Sequence, residues 1–367
     1  MAKIDIESKI TNAIINKLES GKVAPWNMPW HGAKGKGAMP LRANGEEYKG
    51  INTIILWMAK EVNGFVSNQW MTYNQASSIK TDEPKRPATD EEREFYLSLF
   101  KGSNFYTNRK HETFELGVDA VRIGNKEYIP STKIARADTL EIQTYANVKK
   151  GETSEHVVFY KTIVKTEKAE NGVDDVTFNI PLMKTFSVFN CDQIENLPSK
   201  FTVVEEDKEY QPLVGKLPHA DAYFQNTGAK LDHKGSQAFY MPSQDRIQMP
   251  KFGDFKTVEG YYSTLFHELI HWTMTKERCN RNFEGSKRFG GKGYATEELT
   301  AELGACFINA KLGIEKKVRD DHASYIKSWL KALKNDKKFI FTASAKASQA
   351  VEFIDSLQST EELKEVA

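Results

Sequence analysis

Apolar residues recur at three- and four-residue spacing over residues 4–20, where Ile6, Ile10, Ile14/Ile15 and Leu18 form one stripe. That spacing predicts a one-sided helix, which Gly21 stops. Asn52–Val62 predicts a second helix. Gln69–Tyr73 reads as a short strand, with another helix starting over Asn74–Ile79. Asp90–Phe100 is a charged helical piece, and Phe114–Ile123 and Lys126–Ile129 alternate as strands do. Ser154–Val164 and Thr185–Asn190 predict strands on either side of a polar loop, Glu167–Asp175.

Pro198–Pro212 reads as a linker. Beyond it, Ala220–Thr227 predicts a helix. Ala238–Met249 predicts a hairpin or edge strand around Ser243-Gln244-Asp245. Val258–Glu277 predicts a long amphipathic helix with Tyr262, Leu265, Phe266, Leu269 and Ile270 apolar. Asn280–Gly293 is a glycine-rich basic loop. Thr296–Leu312 predicts a helix stopped by Gly313, and His322–Asn335 and Ala343–Leu357 predict terminal helices. The pattern is α+β in two domains, residues 1–196 and 213–367, with 197–212 between them. Residues 80–147 differ in texture and read as an inserted β-rich element. A length of 367 residues agrees with about two cores.

Composition narrows the function classes. With 51 basic and 50 acidic residues the net charge is +1. That excludes a DNA mimic, which needs strong negative charge, and a protein that coats nucleic acid by bulk charge alone. Residues 1–80 carry ten Lys/Arg against six Asp/Glu, so a local basic patch is available there. The three cysteines, Cys191, Cys279 and Cys306, are widely spaced and suggest neither a disulfide framework nor a zinc knuckle. A reducing cytoplasmic setting fits. The polar N-terminus shows no signal peptide, and the longest apolar run, near Ile51–Ala59, is too short to span a bilayer.

His267-Glu268-Leu269-Ile270-His271 is the segment that carries chemistry. Residues four apart share a helical face, so two imidazoles so spaced can bind one ion. The expected metal is Zn2+, one per chain, with another divalent transition metal as the alternative. Zinc would acidify a water, and Glu268 would take its proton as general base. The apolar neighbours Phe266, Leu269, Ile270 and Trp272 bury this helix, and buried imidazoles and a buried carboxylate need a partner that a metal provides.

A catalytic zinc commonly has three protein ligands. The third is sought in Tyr294–Ala305, where Ala301, Gly304 and Ala305 would let two helices come close. Glu297, Glu298 and Glu302 compete for the role. Glu298, followed by Ala301 and Glu302, resembles the ligand helix of gluzincin peptidases. That resemblance implies Glu298 as the ligand and Glu302 behind a ligand imidazole. Tyr294 and His322 are candidates for stabilising an oxyanion, with a structural role as the alternative. The Ala238–Met249 strand is a candidate for holding a peptide by backbone pairing.

In the N-terminal half, Trp26, Trp30, Tyr48, Trp57 and Trp70 are interleaved with Lys34, Lys36, Arg42 and Lys49. Aromatic faces among cations suit single-stranded nucleic acid. The alternative is that the rings are ordinary core.

The chain as a whole resembles the ArdC-type antirestriction proteins of plasmids and other mobile elements. Matching pieces are Pro25-Trp26 with Pro29-Trp30, Tyr48-Lys-Gly50-Ile51-Asn52, Trp70-x-Thr72 with Gln75, Lys150-Gly151-Glu152, and Phe186-x-Val188-Phe189-Asn190 with Gln193. The C-terminal half adds Tyr240-x-Pro242, Asp245-x-Ile247, Pro250, His267-Glu-Leu-x-His-Trp-Thr273 and Tyr294-Ala-x-Glu-Glu-Leu-x-Ala-Glu302. The resemblance implies a single-stranded-DNA-binding domain, a zincin-like metallopeptidase domain, and protection of incoming DNA from host restriction. It carries Trp26, Trp30, Tyr48, Asn52 and Trp70 as candidate DNA contacts, beside Lys34 and Lys36 of the basic loop. It leaves open double-stranded DNA as a further partner. It also leaves open a metalloprotease that cleaves one host protein, with the N-terminal domain recognising protein. Residues 77–146 interrupt the family pattern as an insertion.

Overall fold

A computed structural model describes residues 5–20, 39–99, 105–107, 113–115, 121–130, 140–167, 176–202, 215–281, 292–314 and 322–358. The chain opens on α1 (Ile6–Glu19), capped by the Asp5 carboxylate, which accepts from the Ser8 backbone N–H at 3.0 Å. A two-residue strand, β1 (Leu41–Arg42), precedes α2 (Ile51–Asn63). Gly64 ends α2 in the left-handed conformation that glycine adopts without strain. Next come β2 (Gln69–Met71) and α3 (Tyr73–Ser78). Thr72 and Gln75 form a reciprocal capping box at the start of α3.

The β-rich insertion follows. It contains β3 (Arg86–Pro87), α4 (Asp90–Leu99), the hairpin β4 (Phe105–Thr107) and β5 (Thr113–Glu115), then β6 (Val121–Ile123), β7 (Lys126–Pro130) and β8 (Leu140–Thr144). Its main sheet runs β3-β8-β7-β6. The Glu92 carboxylate ties it together, accepting from both Arg86 guanidinium nitrogens and from Lys126 at 2.7 Å each. The insertion closes on itself: Lys80 bridges Tyr145, and the Ala146 N–H donates to the Ile79 carbonyl at 2.9 Å. Entry and exit strands that pair with each other let a long insertion leave its host undisturbed.

After β9 (Asn147–Val148) come two long strands, β10 (Glu155–Glu167) and β11 (Val176–Asn190). They pair antiparallel from Glu155↔Val188 to Glu167↔Val176, and β2 joins β11 at Phe189 and Asn190. The sequence predicts most of β10, as Ser154–Val164, but only the last part of β11, as Thr185–Asn190. Pro181 donates no hydrogen bond and demotes its segment as a strand. It is tolerated because β11 pairs there with β10 alone among the described residues. Residues 168–175, read as a loop, lie outside the described residues. A short β12 (Ile194–Glu195) pairs with β9, and α5 (Ser199–Thr202) falls in the stretch read as linker.

The C-terminal part begins with α6 (Pro218–Gln225). A three-stranded sheet follows in the order β13 (Lys230–His233), β15 (Arg246–Met249), β14 (Phe239–Met241). The β14/β15 hairpin is the one expected from Ala238–Met249, with Asp245 at positive φ in its turn. The polar Lys-Leu-Asp-His of β13, which gives no strand signal, runs parallel to β15. Four helices complete this part: α7 (Val258–Trp272), α8 (Lys292–Lys311), α9 (His322–Asn335) and α10 (Phe339–Ser356). Among the described residues no helix is long and apolar enough to cross a membrane.

Contacts divide the chain into two units that do not follow chain order. One comprises residues 1–41, 46–64 and 205–367, and the other 42–45 and 65–204. Helices α1 and α2 therefore pack with the C-terminal helices. Thr11 of α1 donates to the Lys337 carbonyl at 2.9 Å. The Gly50 N–H before α2 donates to Ser348 Oγ of α10 at 2.8 Å. Trp57 of α2 meets Phe307 of α8 at 5.7 Å between ring centroids. The second unit has its own core of Met71, Ala76, Ala146, Cys191 and Ile194.

In the first unit α7 packs on α8 with almost no space between them. A β-carbon built on Gly304 would lie 2.6 Å from Ile270 Cδ1 and 2.7 Å from its Cγ1. Ala301 and Ala305, both fully buried, flank this contact. Overpacking a core costs about 1–3 kcal/mol. A glycine-to-alanine change in a helix returns about 1 kcal/mol of propensity, so Gly304→Ala gives a small net effect. Gly304→Val adds more volume without that full return and is expected to destabilise the protein by about 2 kcal/mol or more. Chemical denaturation measures this; an unchanged midpoint would mean that the helices are not held together at this contact.

Candidate metal centre

Helix α7 starts where Thr257 caps it, accepting from the Gly260 N–H at 3.1 Å. Its apolar side fills the core with Tyr261, Tyr262, Leu265, Phe266, Leu269 and Ile270, all at most 1% exposed. Tyr262 fixes the helix by donating to Asp221 Oδ1 at 2.8 Å and accepting from the Leu217 N–H at 2.8 Å. A helix so anchored has no freedom to rotate, so His267, Glu268 and His271 project in one direction.

That direction faces α8. The Nε2 atoms of His267 and His271 stand 3.2 Å apart, with their rings 80° to one another. Glu298 Oε2 lies 3.5 Å from His267 Nε2, and its Oε1 lies 3.7 Å from His271 Nε2. One donor atom from each of the three residues falls within 4.8 Å of the others. Two imidazole nitrogens brought tip to tip beside a carboxylate are poorly explained by hydrogen bonding alone, since at most one proton fits between them. The donors converge as a shared cation requires, and two imidazoles and a carboxylate suit a divalent transition metal.

Each imidazole has a carboxylate behind it. Glu302 Oε2 stands 3.6 Å from His267 Nδ1, which is buried and makes no hydrogen bond among the described residues. Glu297 Oε1 lies 3.1 Å from His271 Nδ1. Glu297 is held in turn by Arg281, whose Nη2 and Nε donate to its two oxygens at 2.7 and 3.0 Å. Arg281 Nη2 also donates to the Ile270 carbonyl and Nη1 to Thr273 Oγ1, both at 2.6 Å. A cation there satisfies the exposed carbonyls and the dipole at the C-terminal end of α7.

Arg281 is the residue that sequence reading missed. It lies in the basic loop and looks solvated, yet its side chain is fully buried. The expected helix Val258–Glu277 stops at Trp272, and the chain folds back instead. The Cys279 N–H donates to the Thr273 carbonyl at 2.9 Å, the Arg281 N–H donates to the Met274 carbonyl at 3.0 Å, and Asn280 takes a positive φ of 45°. That reversal returns Arg281 beneath the helix end.

The carboxylates and imidazoles tune one another. Burial alone would lower the His271 pKa, but Glu297, Glu298 and Glu268 outweigh it and raise it to about 9. Burial would raise Glu298, while His267 and His271, with a hydrogen bond from Tyr294, bring it down to about 2. Glu297 is likewise lowered against its burial by His271 and Arg281.

A cavity of about 340 Å³ opens over these groups. Its lining includes His267, Glu268, His271, Glu298 and Tyr294, with Phe239, Tyr240 and Pro242 from the β14 hairpin. β14 is an edge strand, paired only with β15 among the described residues. His322 opens α9, but its side chain lies outside the described residues.

Of the candidate DNA contacts, Tyr48, Asn52 and Trp70 are among the described residues. Trp70 is 1% exposed and packs edge-on against Phe65 at 5.7 Å. Tyr48 is 7% exposed and its carbonyl accepts from Thr53. Both rings are core groups and offer no face to a base. Asn52 sits half-exposed in the first turn of α2. Trp26, Trp30, Lys34 and Lys36 lie outside the described residues.

Comparison with known proteins agrees with this geometry. Residues 4–189 match the N-terminal domain of anti-restriction factor ArdC, and residues 218–346 match a zincin-like metallopeptidase family. The antirestriction protein ArdC of plasmid R388, in a metal-free crystal structure, is 31% identical with a TM-score of 0.65, covering 96% of this chain and 98% of that one. The chain belongs to the ArdC family of antirestriction proteins. That family joins an N-terminal single-stranded-DNA-binding domain to a C-terminal zincin-like metallopeptidase domain. A second ArdC structure from R388 has Mn(II) bound; it is 31% identical, has a TM-score of 0.63 and covers 97% and 99% of the two chains. The y4eC protein of Sinorhizobium fredii is 30% identical over 99% of this chain and 95% of its own length. A DNA primase TraC of Escherichia coli is 29% identical over 96% of this chain, which spans only 27% of that longer protein.

Two outcomes follow for this ArdC-family site. Removing Arg281 leaves a buried Glu297 carboxylate short of its main partner, and breaking a buried ion pair from one side costs about 3–5 kcal/mol. Arg281→Ala should therefore lower the denaturation free energy by about that amount; a loss within about 0.5 kcal/mol, ordinary for a surface change, would show that Arg281 is not holding Glu297. The second outcome concerns pH. The His271 pKa is raised, so the metal-free protein keeps that proton below about 9. A cation needs the neutral ring, so binding releases the proton. Divalent-metal affinity should rise about tenfold per pH unit between about pH 6 and 8. Calorimetry in buffers of different ionisation enthalpy reads the released proton, and a flat pH profile would contradict it.

Proposed function

We infer that this antirestriction protein binds single-stranded DNA through its N-terminal domain and holds one Zn2+ on His267, His271 and Glu298, with Glu268 as the proton acceptor. The observation that carries the metal reading is the convergence of both imidazole Nε2 atoms on the Glu298 carboxylate, one donor atom of each residue lying within 4.8 Å of the others, beside a cavity that Glu268 also lines. Two imidazoles and one carboxylate are a common catalytic zinc set. The Mn(II) bound to R388 ArdC makes manganese the alternative to test.

A cation bound by these donors supplies a Lewis acid for a carbonyl oxygen and lowers the pKa of water. The chain supplies the rest. Glu268, 4% exposed, takes a proton from water and returns it to a departing amine. The Glu297–Arg281 pair holds the His271 ring in one orientation and one tautomer, and Glu302, 3.6 Å behind His267 Nδ1, is placed to orient that ring. The open edge of β14 offers main-chain groups that would align an extended peptide across the cavity.

That edge and cavity favour a second reading, in which the protein cleaves a specific host protein and the N-terminal domain recognises that protein. Both readings place the work in the cytoplasm, where the three buried cysteines stay as free thiols. Residues 1–196 would serve recognition and 213–367 the metal site. Double-stranded DNA is a further candidate partner.

Glu268→Gln separates the readings. Metal analysis should find one zinc per chain in both the wild type and this variant, and none after His267→Ala. Any peptidase activity should fall by at least about a hundredfold in Glu268→Gln. Protection of transferred DNA that survives in the variant supports action through DNA binding. Protection lost together with the activity would establish the peptidase reading, and zinc retained by His267→Ala would refute the site itself.

A further inference from the structure

The geometry points to the β10/β11 ribbon as the base-stacking surface for single-stranded DNA, with Phe159 and Phe186 as the stacking rings and Lys184 as a phosphate contact. This rests on the DNA-binding reading above and assigns it to residues.

The second unit has buried its expected stacking ring, since Trp70 is core. Five aromatic side chains are exposed among the described residues: Tyr73, Phe95, Phe159, Tyr160 and Phe186. Three of the five belong to one pair of strands. The register decides which share a face. Val157 pairs with Phe186 and Phe159 with Lys184. Residues directly opposite, and residues two apart, lie on the same side of an antiparallel pair. Phe159, Phe186 and Lys184 therefore stand together.

Exposure along this face changes abruptly. Val157 and Val188, on the same side, are 5% and 1% exposed, while Phe159 and Phe186 are 49% and 46% exposed. The core ends at the valines, and the two phenylalanines continue the face into solvent. Their rings meet edge to face, with centroids 6.5 Å apart. Lys184 is exposed and makes no ion pair among the described residues. Exposed rings flanked by a cation on a sheet surface form the arrangement on which unpaired bases stack. A purely apolar protein contact would not need Lys184 directly beside a ring. A duplex hides its base faces, so the surface selects single strands.

The test titrates the full-length protein with fluorescein-labelled oligo(dT) at several salt concentrations. The Phe159→Ala/Phe186→Ala variant should bind roughly 5- to 100-fold more weakly than wild type, the loss expected for one stacked base. Its circular dichroism spectrum and unfolding transitions should stay at the wild-type level, which reports that the second unit is folded. Lys184→Ala should reduce the slope of log affinity against log salt by about 0.7. Phe159→Trp should bind as wild type does and show added fluorescence quenching by the oligonucleotide. Wild-type affinity in the double alanine variant would overturn the assignment while leaving DNA binding in place. A wild type that binds no oligonucleotide would overturn the DNA reading itself. A change in sedimentation with unchanged DNA affinity would give the face to a second copy of the chain and overturn the proposal.

Discussion

Helices α7 and α8 pack closely at position 304, which has no side chain. With Ile270 Cδ1 and Cγ1 at 2.6 and 2.7 Å from where a β-carbon would stand, the contact tolerates glycine alone without displacement. The distance matters because two histidines on one helix are only part of a metal site. The third donor must arrive from another element within a few ångströms, and helices separated by ordinary side chains stand 8–10 Å apart at their axes. Gly304 lies six positions after Glu298, and Ile270 sits beside His271. The packing contact and the donor set therefore occupy neighbouring turns of the same two helices, and a change in one is felt in the other.

The same approach concentrates charge. Glu268, Glu297, Glu298 and Glu302 are each less than 9% exposed. Buried carboxylates without counter-charge cost several kcal/mol each. Arg281 compensates one of them, and the hydrogen bonds to Glu297 tie it to the imidazole of His271. Without a cation, His271 holds a proton against its own burial, which is the same demand expressed through a pKa. The site is thus electrostatically incomplete without a positive charge between the helices, irrespective of any family pattern.

How much of this could be read from sequence depends on the range of the interactions. The His-Glu-x-x-His spacing and the capped helix starts are local, and local periodicity reveals them. The small residues Ala301, Gly304 and Ala305 are visible as a stripe, which made a close helix pair foreseeable. Arg281 was not foreseeable, because a basic residue in a glycine-rich loop is ordinarily solvated, and only the chain reversal at Asn280 buries it. Pro181 hid half of β11 and polarity hid β13, since each strand is defined by pairing with a partner strand rather than by its own pattern. Contacts also group α1 and α2 with the helices of the candidate metal centre, a long-range association that local periodicity does not reveal. Trp70 shows the limit of composition: a ring is core or platform according to what covers it, and Phe65 covers this one.

The insertion bears on how such a protein can vary without losing its chemistry. Its ends meet at Lys80 and Tyr145, and its internal ion cluster on Glu92 makes no demand on the rest of the unit. An element held by its own sheet and closed at its base costs the host little, because joining two ends that already lie together leaves the host backbone unstrained. The host elements on either side, α3 before it and β9 after it, still share the core of Met71, Ala76 and Ala146 with the strands that continue into the β10/β11 ribbon. The exposed face of that ribbon depends on the pairing of β10 with β11 and on the valines beneath it, neither of which the insertion touches in sequence. A surface built this way can keep its stacking rings while the insertion changes around it.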